Sequence, residues 1–171
     1  MTVVLVALSA AVGHAFGRFS YGVLLPAVRD DLGINNTLAG SIGAVNVGAY
    51  LLGTLLVAWA TSRYRLINVM RLGLVLVTSG LLLASLSVGP MMLAMALFVT
   101  GVGGAFLWIP SPVIAAGALP SNKRRLAVGW LGSGVGIGIM FVSILSGALR
   151  TSQGDSSWST AYQIQFGAGL V

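Results

Sequence analysis

Three side chains able to do chemistry stand close together near the start of the chain: His14, Arg18 and Tyr21. Spacings of four and three stack side chains on one side of a helix, so the three are expected on a single helix face. A guanidinium stays charged at any physiological pH and presents a planar fork of donors that matches a carboxylate. The imidazole beside it exchanges protons near neutrality in ordinary surroundings. Together they suit gripping an anion or carrying a proton, and a packed interhelical hydrogen bond is the plainer role for His14. Asn46 and Tyr50 repeat the four-residue spacing; hydrogen bonding between helices accounts for them, with a place in a cavity wall second. Trp108 and Trp130 are candidates for cavity lining or plain packing, and Pro110, near Trp108, for a kink in a pathway helix.

Little else in the sequence offers a reaction. One histidine, no cysteine, no glutamate and three aspartates leave neither a zinc ligand set nor a nucleophile–base–acid triad. No catalytic residue, metal ligand or cofactor is expected, and the chain does not read as an enzyme. The run Gly132-Ser133-Gly134-Val135-Gly136-Ile137-Gly138 lacks the G-x-G-x-x-G spacing and the Lys-containing phosphate loop. Its glycines instead offer small-xxx-small contacts at Gly132/Gly136 and Gly134/Gly138, as do Gly13 and Gly17.

What must position these residues is a series of apolar runs, at 2–28, 37–61, 66–88, 91–119, 126–149 and 158–171. Hydrophobic residues make up 57% of the 171 and charged residues 7%, against about a quarter charged in a soluble domain. That balance excludes a soluble enzyme and a disordered chain. The basic residues sit in short gaps between apolar runs rather than along a solvated stripe, which excludes a nucleic-acid partner. A helix needs about 20 apolar residues to cross a bilayer. The first five runs are long enough, whereas the sixth, at about 21 Å, is not. The expectation is an all-α polytopic membrane bundle with five full transmembrane helices and part of a sixth.

Membrane depth changes the meaning of Arg18, which stands mid-way along the first run. An arginine at the bilayer centre costs about 2.5–3.5 kcal/mol on insertion scales and marks a pathway by default. The only acids, Asp30, Asp31 and Asp155, fall in the gaps. The counter-charge for Arg18 is therefore a bound anion, an acid from a second half or subunit, or water in a cavity. Lys and Arg concentrate in the gaps at Ser62–Arg65 and Pro120–Arg125, which places these loops and the N-terminus in the cytoplasm. No basic residue precedes the first run, so it reads as a spanning helix rather than a cleaved signal.

The stretch Gly17-Arg18-Phe19-Ser20-Tyr21-Gly22-Val23-Leu24-Leu25-Pro26 resembles the start of a major facilitator superfamily transporter, most like the YbfB/YjiJ-type branch. Asn46 with Tyr50-Leu51-Leu52-Gly53, Gly101-Val102-Gly103 and the glycine ladder extend the likeness along the chain. Departures are equally specific. The signature between the second and third helices reads Ser62-Arg63-Tyr64-Arg65, without its Asp and glycine, and Leu97 stands where an arginine precedes the Gly-x-Gly element. The fifth helix lacks the Gly-Pro pair of drug–proton antiporters. The resemblance implies two six-helix halves with a cavity between them, the first and fourth helices on its wall. This chain would then be the N-terminal half, cut within its sixth helix, with the C-terminal six-helix half missing. It also implies secondary transport of a small solute by alternating access across a bacterial inner membrane, and the unbalanced charge of Arg18 puts an organic anion among the candidates. The rival expectations are a non-transporting assembly subunit or truncated product, and an exporter of lipophilic compounds.

Overall fold

A computed structural model describes residues 2–170. The described residues form helices and no strand, as expected where the bilayer offers backbone groups no partner but their own helix. Helix α1 runs Thr2–Leu32, α2 Asn36–Thr61, α3 Leu66–Ser85, α4 Pro90–Gly117 and α5 Ser121–Gln153, all five apolar and long enough to cross a membrane. Helix α6 spans Ser157–Gly169.

Local chemistry sets the ends. Helix α1 continues through Arg29, Asp30 and Asp31, which apolarity alone had left in a gap, and stops at Gly33. There a positive φ of 60° lets the glycine amide bond back to the Arg29 carbonyl. Asn35 caps α2, its side chain accepting from the Leu38 amide at 2.8 Å. Pro90 opens α4 at the position where a missing amide is harmless. Helix α5 takes in Arg124 and Arg125 at its start and Arg150 near its end.

Helix α4 packs between α2 and α3, and glycines let these neighbours approach it. Gly101 backs onto the Asn46 carbonyl and Ala49 of α2, and Gly53 of α2 meets Val102 and Ala105. On the other side Gly103 meets Leu76 and Val77 of α3, while Gly73 meets Phe106 and Leu107. A methyl group at any of these positions would collide with backbone or buried side chains, so the seams depend on glycine. Helix α5 packs on α1 through Gly134 and Gly138, against Ala7, Ala11 and Ala15. Gly132 and Gly136, expected to pack likewise, face open space: two residues further round the helix, the spacing is the same but no neighbour is there.

Charge divides between the two ends of the bundle. Asp30 accepts from Arg29 at 2.7 Å and from Arg150 at 2.9 Å, and Arg150 also pairs with Asp155 at 2.7 Å. Trp158 donates its indole N–H to Asp31 at 2.7 Å. All three acids thus tie the ends of α1, α5 and α6 together. The opposite end carries Arg63, Arg65, Lys123, Arg124 and Arg125, with no acid.

Candidate functional site

The middle of α1 is wound differently from its ends. Between α-helical Thr2–Ala10 and Ser20–Leu32 lies a π-helical stretch, Ala11–Phe19. Such i→i+5 winding is rare and concentrates at functional sites. It also changes which side chains meet. Five residues along an α-helix turn by about 140°, to nearly opposite flanks; here the rings of His14 and Phe19 stand 6.1 Å apart, edge to face.

Two further helices close on this stretch. His14 stacks against Trp108 of α4, ring centroids 4.2 Å apart at 31°, and meets the Tyr50 ring of α2 edge-on at 5.9 Å. The Arg18 guanidinium carbon lies over the Tyr50 ring at 4.3 Å and near the Phe19 ring at 5.8 Å. His14 is only 7% exposed, and its Nδ1 is buried without a hydrogen-bond partner. Arg18 is half-buried, and the ion pairs among the described residues all lie at the acidic end, away from it. What faces the cation is the negative side of aromatic rings, an attraction of about 2 kcal/mol when desolvated.

Trp108 owes its place to a break in α4. Proline has no amide hydrogen, so Pro110 and Pro112 cannot donate to the Phe106 and Trp108 carbonyls four residues back. The regular helix therefore stops at Trp108 and restarts at Ser111. The Ser111 hydroxyl donates to the Leu107 carbonyl at 2.5 Å, and Pro110 itself is buried at the joint.

One turn before Tyr50, Asn46 does different work. Its amide nitrogen lies 3.1 Å from the Gly17 carbonyl, 2.8 Å from the Leu97 carbonyl and 3.0 Å from the Thr100 hydroxyl. At 3% exposed it pins α1, α2 and α4 together directly below the Arg18 cluster.

The family model described as Major Facilitator Superfamily matches residues 7–171. The chain belongs to the major facilitator superfamily. It is an integral membrane protein and a transporter of the major facilitator type. A search of curated proteins finds no match.

Within this superfamily member, the residues singled out from sequence separate into three groups. His14, Arg18, Tyr50 and Trp108 come together. Asn46 and Pro110 sit beneath and beside them as supports. Tyr21 leaves the group: its hydroxyl donates to the Ala39 carbonyl at 2.8 Å and its ring lies where a Gly43 side chain would be. The π-helical winding ends two residues earlier, so the three-and-four spacing of a regular helix does not carry from His14 through to Tyr21. Trp130 is 56% exposed on α5 and forms no aromatic or cation–π pair with the others. Phe19 joins the site without having been singled out, because an i+5 contact has no signal in α-helical periodicity. The aromatic faces under Arg18 are a further addition, since the counter-charges expected for it are a bound anion, an acid from a second half or subunit, or water.

Proposed function

We propose that this transporter binds an anionic, carboxylate-bearing solute at Arg18, between this bundle and a second six-helix half, and carries it by alternating access. The observation behind this reading is a guanidinium at membrane depth, its carbon 4.3 Å from the centre of the Tyr50 ring and distant from every acid among the described residues. A contact with an aromatic ring engages the charge but accepts none of the five N–H donors in the usual sense, which leaves donors for a ligand. His14, Phe19 and Trp108 supply the remaining wall. The open glycines Gly132 and Gly136 of α5 face a side without a neighbour, where the second half would lie. The concentration of Lys and Arg at one end supports a cytoplasmic N-terminus. A bacterial inner membrane and the YbfB/YjiJ-type branch complete the proposal on the strength of the sequence resemblance.

The test is solute binding by the protein with Arg18 intact, Arg18→Lys and Arg18→Ala. Lysine keeps the charge but loses the fork and the stacking. Losing one charge-assisted hydrogen bond costs about 1.5–3 kcal/mol, roughly ten- to a hundredfold in affinity. Arg18→Lys is expected to weaken carboxylate binding by that factor and Arg18→Ala to weaken it further. Equal affinities across the three forms would sink the anion reading.

A further inference from the structure

The turn between α2 and α3 carries a second, separate feature. It consists of Ser62-Arg63-Tyr64-Arg65, with Trp59 in the last turn of α2. Trp59 and Tyr64 meet at 6.3 Å, edge to face, and the Arg63 guanidinium lies over the Trp59 ring at 5.3 Å. Beside this group opens a groove of about 280 Å³ between α2 and α3, floored by Phe106 of α4. Leu56, Val69 and Leu72 line it, with Asn68 and the polar tips of Trp59 and Tyr64 as its only polar elements. Its size lies just below the range of small-molecule sites.

Three observations say what occupies it. Trp59 and Tyr64 stand at the end of a spanning helix, the level where such rings settle among lipid headgroups. Arg63 and Arg65 are exposed in the turn that flanks the groove, Arg63 over the ring of Trp59 that lines it, and every acid of the chain is gathered at the other end of the bundle. A hydrocarbon-lined groove beside a turn with two unneutralised cations complements one kind of molecule, an amphiphile with an anionic head. We infer that the α2–α3 turn is a binding site for an anionic phospholipid, its phosphate on Arg63 and Arg65 and one acyl chain in the groove beside Trp59. The inference does not depend on Arg18 or on which leaflet the turn faces.

Bromine on an acyl chain quenches a tryptophan it touches, which gives a direct test. The purified protein is placed in nanodiscs holding fixed proportions of phosphatidylglycerol and phosphatidylcholine. The two sets differ only in which lipid carries dibrominated chains. The part of the signal due to Trp59 is the difference from a Trp59→Phe variant. It should be quenched more strongly when the bromine rides on phosphatidylglycerol. Enrichment of about fivefold per arginine is expected, from the usual attraction of one basic side chain to an anionic surface. In the Arg63→Gln/Arg65→Gln double variant, whose exposed positions spare the core, the preference should vanish while quenching persists. Equal quenching from the two sets in the unaltered protein would reduce the groove to ordinary lipid contact and overturn the inference. Absence of quenching in both would overturn it too, by showing that protein covers the groove.

Discussion

Asn46 and Tyr50 stand one turn apart on the same side of α2, and their surroundings differ completely. Asn46 lies in a dry seam where its amide finds three oxygen acceptors and Gly101 brings the α4 backbone against its carbonyl. Tyr50 lies where the packing loosens, beneath a cation with no acid and beside an imidazole with an unused nitrogen. The lower turn holds three helices in register, and the upper turn presents what they hold. A transporter needs both within a few ångströms, because a binding group is only as well placed as the backbone beneath it.

The largest effect should come from invading the seam. Gly101→Val would drive a branched side chain into the Asn46 carbonyl and Ala49, with backbone on one side and no flexible tip to yield. Overpacking of this kind costs about 3 kcal/mol. The expected outcome is a large fall in folded yield and thermal midpoint, measured by fluorescence-detected size exclusion. A variant as stable as the parent would mean that the α2–α4 seam is looser than the contacts indicate.

Next in size is a crossed pair that separates the two turns. Tyr50→Leu keeps bulk but removes the ring under Arg18, and should weaken solute binding by about 1–2 kcal/mol with little change in thermal midpoint. Tyr50→Phe, which keeps the ring, should retain most of the affinity. Asn46→Leu should do the reverse and lower stability by about 1 kcal/mol, the usual scale for a hydrogen bond between membrane helices. Identical behaviour of the two leucine variants would erase the distinction between support and site.

Much of this was legible beforehand, and the reasons for the rest are physical. Hydrocarbon-length runs and the scarcity of charge suffice for an all-helical membrane bundle, because a bilayer admits so few alternatives. Arg18 stood out because charge at membrane depth is expensive. Apolarity could not show that α1 continues through Asp30 and Asp31, since hydrogen bonding ends a helix and the glycine that ends this one comes later. Nor could it show the π-helical stretch, which brings Phe19 under His14 and lets Tyr21 turn away to the Ala39 carbonyl. Periodicity presupposes a winding, and here the winding changes at the site itself.

The smallest effect tests the same contrast inside one helix. Gly132 and Gly134 are two residues apart on α5, equally ordinary in backbone and alike in their four-residue partners Gly136 and Gly138. Only their surroundings differ: a methyl group on Gly134 would strike the Ala7 carbonyl of α1, whereas one on Gly132 meets nothing. Alanine in place of a mid-helix glycine favours the helix by about 0.5–1 kcal/mol when space allows, by removing freedom from the unfolded chain. Gly132→Ala should therefore raise the thermal midpoint slightly, while Gly134→Ala should lower it, because α1 must shift to admit the methyl. Opposite signs from one substitution at neighbouring glycines would set packing above propensity in this helix. Should both variants fall together, the Gly132 side is covered as well, as the proposed docking of a second half on the open side of α5 would require.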